Sequence, residues 1–291
     1  MASVGQWIAG ARPRTLPTAV SPVLVGTGAA VGSGAVQPAR ALLALAVAVA
    51  LVIGVNYAND YSDGIRGTDD ERVGPVRLVG SRLAAPAAVR NAAFLCFSIA
   101  ALAGLTLVSL TQQWWLVAVG AVCIVAAWTY TGGPLPYGYR ALGEVNVFVF
   151  FGLVAVVGTT YVQTGAVAGL AFAVAVPIGL LIVAILVVNN LRDIDGDATA
   201  GKRTLAVLLG DRATRHLFVD LFVVAFVVIL AVGVVRPWAL LGLLAAPLAV
   251  APSRTVLSEG RGPALVAALQ GTGQLTLVTG VLLGAGLALS G

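Results

Sequence analysis

The sequence is poor in charged residues. Only 10% of its 291 residues are Asp, Glu, Lys or Arg, whereas about a quarter of the residues of a soluble domain are charged. Hydrophobic residues make up 59% of the chain. This balance excludes an ordinary soluble enzyme and predicts a polytopic membrane protein. The long apolar runs lack the alternation of a barrel strand, so they predict transmembrane helices.

Cysteine, histidine and lysine are also scarce. The two cysteines, Cys96 and Cys123, lie inside apolar runs, which disfavours both a disulfide and a cysteine metal site. The single histidine, His216, offers little for haem chemistry. The formal net charge is +5, but the basic residues lie in the predicted membrane loops. We therefore expect no nucleic-acid partner.

The apolar runs predict an all-α fold of nine transmembrane helices in a single domain, residues 1–291. The eighth run is short and is interrupted by Pro247. The nine predicted spans are roughly 18–36, 42–61, 91–110, 114–131, 144–162, 170–190, 216–235, 238–253 and 266–289.

The basic residues predict the orientation of these spans. With the N-terminus in the cytoplasm, fifteen of the seventeen basic residues fall on the cytoplasmic side, and only Arg40 and Arg236 fall on the other. This asymmetry follows the positive-inside rule. The twelve acids lie on the cytoplasmic side as well. One face thus carries nearly all the ionic chemistry, which favours a one-sided active site over a permeation path.

Two acid-rich segments each end a hydrophobic helix. The first, 56–63, reads Asn-Tyr-Ala-Asn-Asp-Tyr-Ser-Asp, and the second, 189–197, reads Asn-Asn-Leu-Arg-Asp-Ile-Asp-Gly-Asp. Acids at the edge of a membrane helix are costly and usually mark function. The doubled pattern predicts that the two segments are halves of one site.

Helical spacing selects the residues of each half. Asn56, Asp60 and Asp63 share one face, and so do Asn190, Asp193 and Asp197, whereas Asp195 points elsewhere. Carboxylate and amide oxygens suit Mg²⁺, which typically takes one or two carboxylates together with substrate phosphates. We therefore expect Mg²⁺ ions bridging a pyrophosphate between the two segments. For the loop acids Asp69, Asp70 and Glu71, an ordinary solvated loop is an equal alternative.

Basic residues follow both segments and fit the same anionic ligand. They are Arg66, Arg72 and Arg77 after the first segment and Lys202 and Arg203 after the second. The alternative is that the arginines are ordinary cytoplasmic anchors; for Lys202 we favour phosphate binding.

A pyrophosphate site beside a greasy interior suggests a polyprenyl diphosphate substrate. Ionisation of such an allylic diphosphate makes a carbocation, which aromatic faces stabilise. The loop 128–144 supplies aromatics on the same side of the membrane, among them Tyr137 and Tyr139, and it ends at Glu144. An interfacial aromatic belt is the alternative, chiefly for Trp128.

These motifs resemble those of a known family. The pattern Asn-xxx-Asn-Asp-xx-Asp on the second span, Asp193-xxx-Asp197 after the sixth, and nine spans are similar to the UbiA superfamily of intramembrane aromatic prenyltransferases. Residues 11–17, 59–69, 130–144 and 190–205 resemble the branch of menaquinone synthesis that acts on 1,4-dihydroxy-2-naphthoate. The 4-hydroxybenzoate branch usually carries Arg-Ser-x-x-Arg after the first motif, where this chain has Gly-Ile-Arg-Gly-Thr.

The resemblance implies a helical bundle around a central cavity that opens to lipid, in a bacterial plasma membrane. It implies Mg²⁺-dependent transfer of a polyprenyl group to 1,4-dihydroxy-2-naphthoate, with release of CO₂ and diphosphate, to give demethylmenaquinol. Another aromatic acceptor, or secondary transport of an anion or divalent cation, are the open alternatives. Neither prenyl length nor oligomeric state can be predicted from the sequence.

The resemblance also implies roles for individual residues. Arg14, or with less support Arg12, would pair with the acceptor carboxylate. Tyr137, Tyr139 and Glu144 would shape the acceptor pocket. The residues expected to hold Mg²⁺ and the diphosphate are Asn56, Asp60, Asp63, Asp69, Asn190, Asp193 and Asp197, with Asp60, Asp63, Asp193 and Asp197 as the catalytic acids. The other residues expected to contact substrate are Asn59, Arg66, Arg72 and Lys202.

Overall fold

The computed structural model describes residues 2–67, 76–258 and 260–291. Over these ranges the chain is helical and contains no strand, which confirms the predicted all-α fold for the part described. In chain order the α-helices are α1 (Val4–Ala11), α2 (Pro17–Val31), α3 (Pro38–Ile65), α4 (Pro86–Thr111), α5 (Leu116–Thr129), α6 (Gly143–Val147), α7 (Ala155–Thr164), α8 (Gly169–Arg192), α9 (Ile194–Thr199), α10 (Leu205–Leu209), α11 (Asp211–Val235), α12 (Val250–Leu257) and α13 (Pro263–Ala288).

Several helices continue through segments of different pitch. A π-helix, Phe148–Val154, joins α6 to α7, so that Gly143–Thr164 forms one rod. A long 3₁₀ stretch, Pro237–Ala249, leads into α12. It contains the Pro247 that interrupts the eighth predicted span, and proline supplies no N–H for an α-helical bond. Short 3₁₀ turns occur at Pro13–Thr15 and Tyr137–Tyr139.

Proline sets the start of four membrane helices. α2, α3, α4 and α13 each begin at a proline. Proline is favoured at the first helical position because the N–H it lacks has no intrahelical partner there and its fixed φ suits the helix.

Seven helices of the described chain are long and apolar enough to cross a membrane. Apolar helices also occupy the first and fourth predicted spans, but Pro17–Val31 and Leu116–Thr129 are shorter. The N-terminal one ends earlier than expected because the chain turns at 32–34. The predicted count of nine spans is therefore not confirmed by helix length, and it stays a prediction.

α8 lies at the centre of the bundle. In its most apolar window 72% of the residues are buried, the largest share among the seven long helices of the described ranges. It packs against α2, α11 and α13. By contrast, Ala127 is the one buried residue of α5, which packs chiefly against α3 and α4. α5 is therefore a lightly attached wall of the bundle.

Small residues bring α2 against α13, through Gly28 and Gly32 on one helix and Gly280 and Gly284 on the other, a spacing that favours close helix packing. A Cβ on Gly28 would lie 2.1 Å from the carbonyl oxygen of Gly284, and one on Gly280 would lie 2.6 Å from Cβ of Ser21. The two helix backbones are thus in direct contact. These glycine pairs pack within one chain.

The two basic residues that break the charge asymmetry bind helix ends. Arg40 donates to the carbonyl oxygens of Leu110 and Val162, both at 3.1 Å, near the C-terminal ends of α4 and α7. Arg236 donates to the carbonyl oxygen of Ser290 at 2.7 Å, beyond the end of α13. Cations are favoured at these ends because the last carbonyls of a helix carry partial negative charge.

Candidate active site

The C-terminal end of α3 and the α8–α9 junction enclose a polar cavity of about 190 Å³, the polar chamber. Its walls come from the segment before α2, from α3 and α8, from the loop after α5 and from the turn after α9. The polar residues that line it are Arg12, Thr15, Thr18, Asn56, Asn59, Asp63, Arg77, Tyr130, Thr131, Tyr139, Asn189, Asn190, Asp197, Lys202 and Thr204. The structure thus brings residues of both acid-rich segments together.

Asp63 is the acid of the first segment that lines the chamber. Its side chain is 4% exposed, yet two cations face it: Lys202 Nζ lies 3.5 Å from Oδ1, and Arg77 Nη2 lies 4.0 Å from Oδ2. The hydroxyl of Tyr139 donates to the same Oδ1. A buried carboxylate is tolerated only when it is paired and hydrogen-bonded in this way.

Asp197 is the acid of the second segment that lines the chamber. Its Oδ1 lies 3.6 Å from Lys202 Nζ. Gly201, with φ of +73°, ends the turn after α9, and the N–H of Lys202 donates back to the carbonyl oxygen of Asp197 at 2.8 Å. This local fold directs the only lysine of the chain between the acids of the two segments. Its ammonium also lies 4.6 Å from the centroid of the Tyr139 ring.

The asparagines orient the surrounding segments. Asn56 Nδ2 donates to the carbonyl oxygen of Ala11 and to Thr15 Oγ1, both at 2.9 Å. Asn59 Oδ1 accepts a bond of 2.8 Å from the Thr131 hydroxyl. Each of the two therefore ties a neighbouring segment to α3 while it lines the chamber.

Glu144 lies outside the chamber wall and contacts Asn190, which lines it. Asn190 Nδ2 donates to Glu144 Oε1 at 2.9 Å, and both side chains are buried. Asn190 lines the chamber, whereas Glu144 is not part of its wall. Sequence reasoning expected Glu144 to shape the acceptor pocket; in the structure it acts on Asn190.

A larger apolar cavity of about 500 Å³ adjoins the polar chamber. It runs between α2, α3, α4, α5 and the rod 143–164, with Tyr137 in its wall. The residues that line both cavities are Thr18, Val52, Val55, Tyr130, Val147 and Phe151. The charged space therefore opens directly onto an apolar one, with the aromatic rings of Tyr130 and Phe151 at the junction.

The structure does not bring Asp60 into the wall of the polar chamber. Asp60 is fully buried, and its two oxygens accept the backbone N–H groups of Leu78 and Val79 at 2.7 and 3.0 Å. Helical spacing places it on the face of Asn56 and Asp63, but spacing alone does not show that the chain returns beside it.

Asp193 is also outside the chamber wall. α8 ends at Arg192 and α9 begins at Ile194, so the counting that placed Asp193 with Asp197 assumed one helix where there are two. Arg192 pairs with both oxygens of Asp193 at 2.8 Å. Asp195 is exposed, as the spacing predicts.

Two arginines differ in position from the sequence prediction. Arg66, expected at the phosphate, donates to the carbonyl oxygens of Thr131 and Gly133, the latter at 2.6 Å. It holds the loop after α5. Arg14, preferred for the acceptor carboxylate, is exposed, whereas Arg12 lines the chamber. The left-handed φ of +53° at Arg12 ends α1 and turns the chain there.

Four residues of the prediction lie outside the described ranges: Asp69, Asp70, Glu71 and Arg72. Within those ranges, no three Asp, Glu, His or Cys side chains converge as a metal cluster. The donors that do line the chamber, two carboxylates and amide oxygens, fit Mg²⁺ when a substrate supplies further oxygens.

Sequence reasoning missed several residues of the chamber wall, namely Tyr130, Thr131 and Asn189. Arg77 was noted only as one of several bases, and Asn189 only as part of a motif. Tyr130 and Thr131 line the chamber because the loop after α5 reaches α3, where the Thr131 hydroxyl donates to Asn59, and the sequence carries no periodic signal for that contact. The one signal in the sequence was the motif Tyr-Thr-Gly-Gly-Pro at 130–134, which indicates a turn directly after a membrane helix.

Two loop tyrosines have altered acidity. Burial, together with the charge of Asp63 and the hydrogen bond to it, raises the pKa of Tyr139. Burial also raises the pKa of Tyr137, whose hydroxyl donates to the carbonyl oxygen of Ala126 at 2.9 Å. Both phenols therefore remain protonated donors at neutral pH.

Most of the polar residues that line the chamber lie within a stretch shared with known proteins, and Arg12, Thr15 and Thr18 precede that stretch. Residues 19–269 match the profile of the UbiA prenyltransferase family. The chain belongs to the UbiA prenyltransferase family. A 1,4-dihydroxy-2-naphthoate octaprenyltransferase from Mycobacterium tuberculosis is 57% identical over 278 residues, which cover 96% of this chain and 95% of the relative.

Solved structures of UbiA homologues share the fold. One from Aeropyrum pernix, without ligand, has a TM-score of 0.66 at 17% identity and covers 94% of this chain and 97% of its own. One from Archaeoglobus fulgidus, bound to DMAPP and Mg²⁺, has a TM-score of 0.60 at 13% identity, with coverages of 96% and 99%. The bundle described above is thus the UbiA fold.

Proposed function

We propose that the protein transfers a polyprenyl group from polyprenyl diphosphate to 1,4-dihydroxy-2-naphthoate, with release of diphosphate and CO₂. The observation that carries this proposal is the adjacency of the two cavities. A charged chamber built around Asp63, Lys202 and Asp197 suits a diphosphate, and the apolar cavity suits its hydrocarbon tail. The similarity to naphthoate octaprenyltransferases supports the choice of acceptor.

Lys202 and Arg77 bind the diphosphate in this proposal. Both are buried beside Asp63 and line the chamber, and cationic donors form strong hydrogen bonds to phosphate oxygens. Asp63 and Asp197, with the amide oxygens of the chamber, hold Mg²⁺. The metal supplies charge neutralisation for the departing diphosphate.

Arg12 is the partner we assign to the acceptor carboxylate. It is the arginine of the N-terminal segment whose side chain lines the chamber. The naphthoate ring then lies between Arg12 and the junction of the two cavities. Tyr130 and Phe151 flank that junction, where an aromatic face stabilises a cation.

The reaction breaks the C–O bond of the prenyl diphosphate, and the electron pair leaves on the diphosphate. The allylic carbon then forms a C–C bond with the electron-rich naphthoate ring. Loss of the carboxylate as CO₂ returns an electron pair to the ring and restores its aromaticity. The chamber residues hold the diphosphate, the apolar walls exclude water from the cation, and Tyr139 keeps its proton throughout.

The membrane arrangement forms part of the proposal. We infer nine spans within one membrane-embedded domain, with α2 and α5 as the two short ones, in a bacterial plasma membrane. The N-terminus and the polar chamber face the cytoplasm, and the C-terminus lies outside. The supporting observation is that Arg40 lies at the start of α3 and Asp63 at its end, so the helix separates the two faces.

The test uses purified protein in detergent with 1,4-dihydroxy-2-naphthoate and a long-chain allylic diphosphate. We expect mass spectrometry to detect a prenylated, decarboxylated naphthoquinol that forms with Mg²⁺ and vanishes with EDTA. Parallel reactions with 4-hydroxybenzoate and homogentisate test the acceptor. Prenylation of one of these in preference to the naphthoate would overturn the acceptor assignment, and no prenylated product in folded protein would overturn the reaction.

A further inference from the structure

Asp60 binds backbone groups, whereas its neighbours Asn56, Asn59 and Asp63 line the polar chamber. It is fully buried, its Oδ2 accepts the N–H of Leu78 at 2.7 Å, and its Oδ1 accepts the N–H of Val79 at 3.0 Å. Two successive N–H groups directed at one carboxylate form an anion-binding arrangement. Because both oxygens are engaged in this way, the carboxylate anchors the chain segment that returns beside α3.

That segment, residues 77–84, forms a compact turn. The carbonyl oxygen of Leu78 accepts the N–H groups of Leu83 and Ala84 at 2.9 and 3.0 Å, and the N–H of Ser81 donates to the carbonyl oxygen of Arg77 at 3.0 Å. The internal bonds make the turn move as one unit. Fixing two of its N–H groups therefore fixes the whole of it.

Glycines on two helices receive the turn. A Cβ on Gly64 of α3 would lie 2.5 Å from Val79 Cγ1, and a Cβ on Gly10 of α1 would lie 2.8 Å from Leu78 Cδ1. Leu78 is fully buried. The turn is thus packed against α1 and α3, and the hydrogen bonds to Asp60 fix its position along α3.

Arg77 immediately precedes the first anchored N–H. Its side chain is buried and lines the polar chamber, with Nη2 at 4.0 Å from Asp63 Oδ2. The residue before Leu78 cannot move far while the Leu78 N–H is held. Asp60 therefore acts on the chamber through the backbone, one residue away from a cation of its wall.

We propose that Asp60 is a positioning residue, which holds the turn 77–84 so that the Arg77 guanidinium faces the diphosphate, and that it is not a ligand of the metal. The inference depends on the proposed function of the polar chamber. The two acids of the first motif thus have different roles. Asp60 positions the turn that carries Arg77, and Asp63 faces the ligand in the chamber.

The kinetic test compares Asp60→Asn, Asp63→Asn and Arg77→Ala in the full chain. For Asp60→Asn we expect the KM for prenyl diphosphate to rise about tenfold, the effect of losing one charge-assisted bond. Its kcat and the Mg²⁺ concentration for half activity should stay near wild type, whereas Asp63→Asn should raise the latter. Ser81→Ala, an exposed change in the same turn, is the matched control.

A double mutant identifies the route of the effect. Asp60→Asn combined with Arg77→Ala should bind prenyl diphosphate no worse than Arg77→Ala alone, because coupled residues are not additive. Full additivity, or a Mg²⁺ requirement raised as much as in Asp63→Asn, overturns the proposal. If Asp60→Asn does not fold, Asp60→Ser, which retains one acceptor, takes its place in the same comparison.

Limited trypsin digestion gives a readout that needs no reaction. Release of the turn in Asp60→Asn should speed cleavage after Arg77 and Arg82, while cleavage after Arg203 stays constant. Unchanged cleavage after Arg77 would overturn the positioning role whatever the activity. A wild-type protein that transfers no prenyl group would instead refute the proposed function and leave the digestion result standing.

Discussion

Lys202 and Asp63 form a buried ion pair of 3.5 Å, although 139 positions separate them in the chain. The same ammonium lies 3.6 Å from Asp197. One side chain thus links the end of α3 to the short helix α9 and pairs with an acid of each. Removing one partner of a buried pair leaves an uncompensated charge, which is strongly unfavourable.

Lys202→Gln should therefore weaken diphosphate binding and loosen the chamber. We expect the KM for prenyl diphosphate to rise by at least about tenfold, since a charge-assisted contact is lost while two like charges face each other. Steady-state kinetics measure this effect. Arg203→Gln is the control, because Arg203 is adjacent and exposed. Equal effects of the two changes would contradict the assignment.

Asp63→Asn and Asp197→Asn should each lower kcat by about 100-fold or more, the usual scale for loss of a group that stabilises developing charge. Asp195→Asn, on the same short helix as Asp197 but exposed, should stay within about twofold. Prenyl-transfer assays at saturating substrate decide this. A large loss in Asp195→Asn, or none in Asp63→Asn, would overturn the two-segment site.

Arg12→Ala should raise the KM for the naphthoate by about tenfold or more, with little change in the KM for prenyl diphosphate, because a carboxylate loses its cation. Arg14→Ala is the matched control, two residues away and exposed. Varying each substrate separately distinguishes the two effects. The opposite ranking of the two variants would restore Arg14 as the carboxylate partner.

Tyr139 should not titrate in the working range of the enzyme. Burial and Asp63 raise its pKa above the ordinary 10.0, so its contribution to stability is complete below about pH 10 and falls above that value. Tyr139→Phe should change the rate by a constant factor between pH 6 and 9. A pH–rate profile checks this, and a change in its shape within that range would show that Tyr139 ionises.

Gly28→Ala should destabilise the bundle by about 1–3 kcal/mol, the usual cost of overpacking, because the new Cβ would lie 2.1 Å from the Gly284 carbonyl oxygen. Gly120→Ala meets open space in α5 and should be neutral or slightly stabilising. Thermal unfolding in detergent compares the two variants. Equal melting temperatures would argue against the close contact of α2 and α13.

The architecture was largely predictable because membrane helices leave a strong hydropathy signal. Apolar helices occupy all nine predicted positions, and Asp195, predicted to point away from the other acids of its segment, is exposed. Helix length was less accessible: α2 and α5 are shorter than a typical span. The chain turns after α2, and α5 packs lightly against the bundle. In both cases the hydrophobic run in the sequence is longer than the helix.

The site was only partly predictable. Helical periodicity predicts which residues share one face of a helix, but it does not predict which segment packs against that face. Asp60 and Asp63 share a face, yet the backbone of the turn 77–84 engages both oxygens of Asp60, whereas Asp63 lines the chamber. Arg66 is close to the acids in sequence but donates to the carbonyl oxygens of Thr131 and Gly133, in the loop after α5. In both cases the deciding partner is distant in the chain.

The contact of α2 with α13 also bears on how the protein is made. α2 supplies Thr18 to the wall of both cavities, and its glycine face rests on the last helix of the described chain. During synthesis, α2 therefore precedes α13, and its contact with α13 forms only after α13 has been translated. The part of the cavity wall that depends on this contact is therefore completed only after α13 has been made.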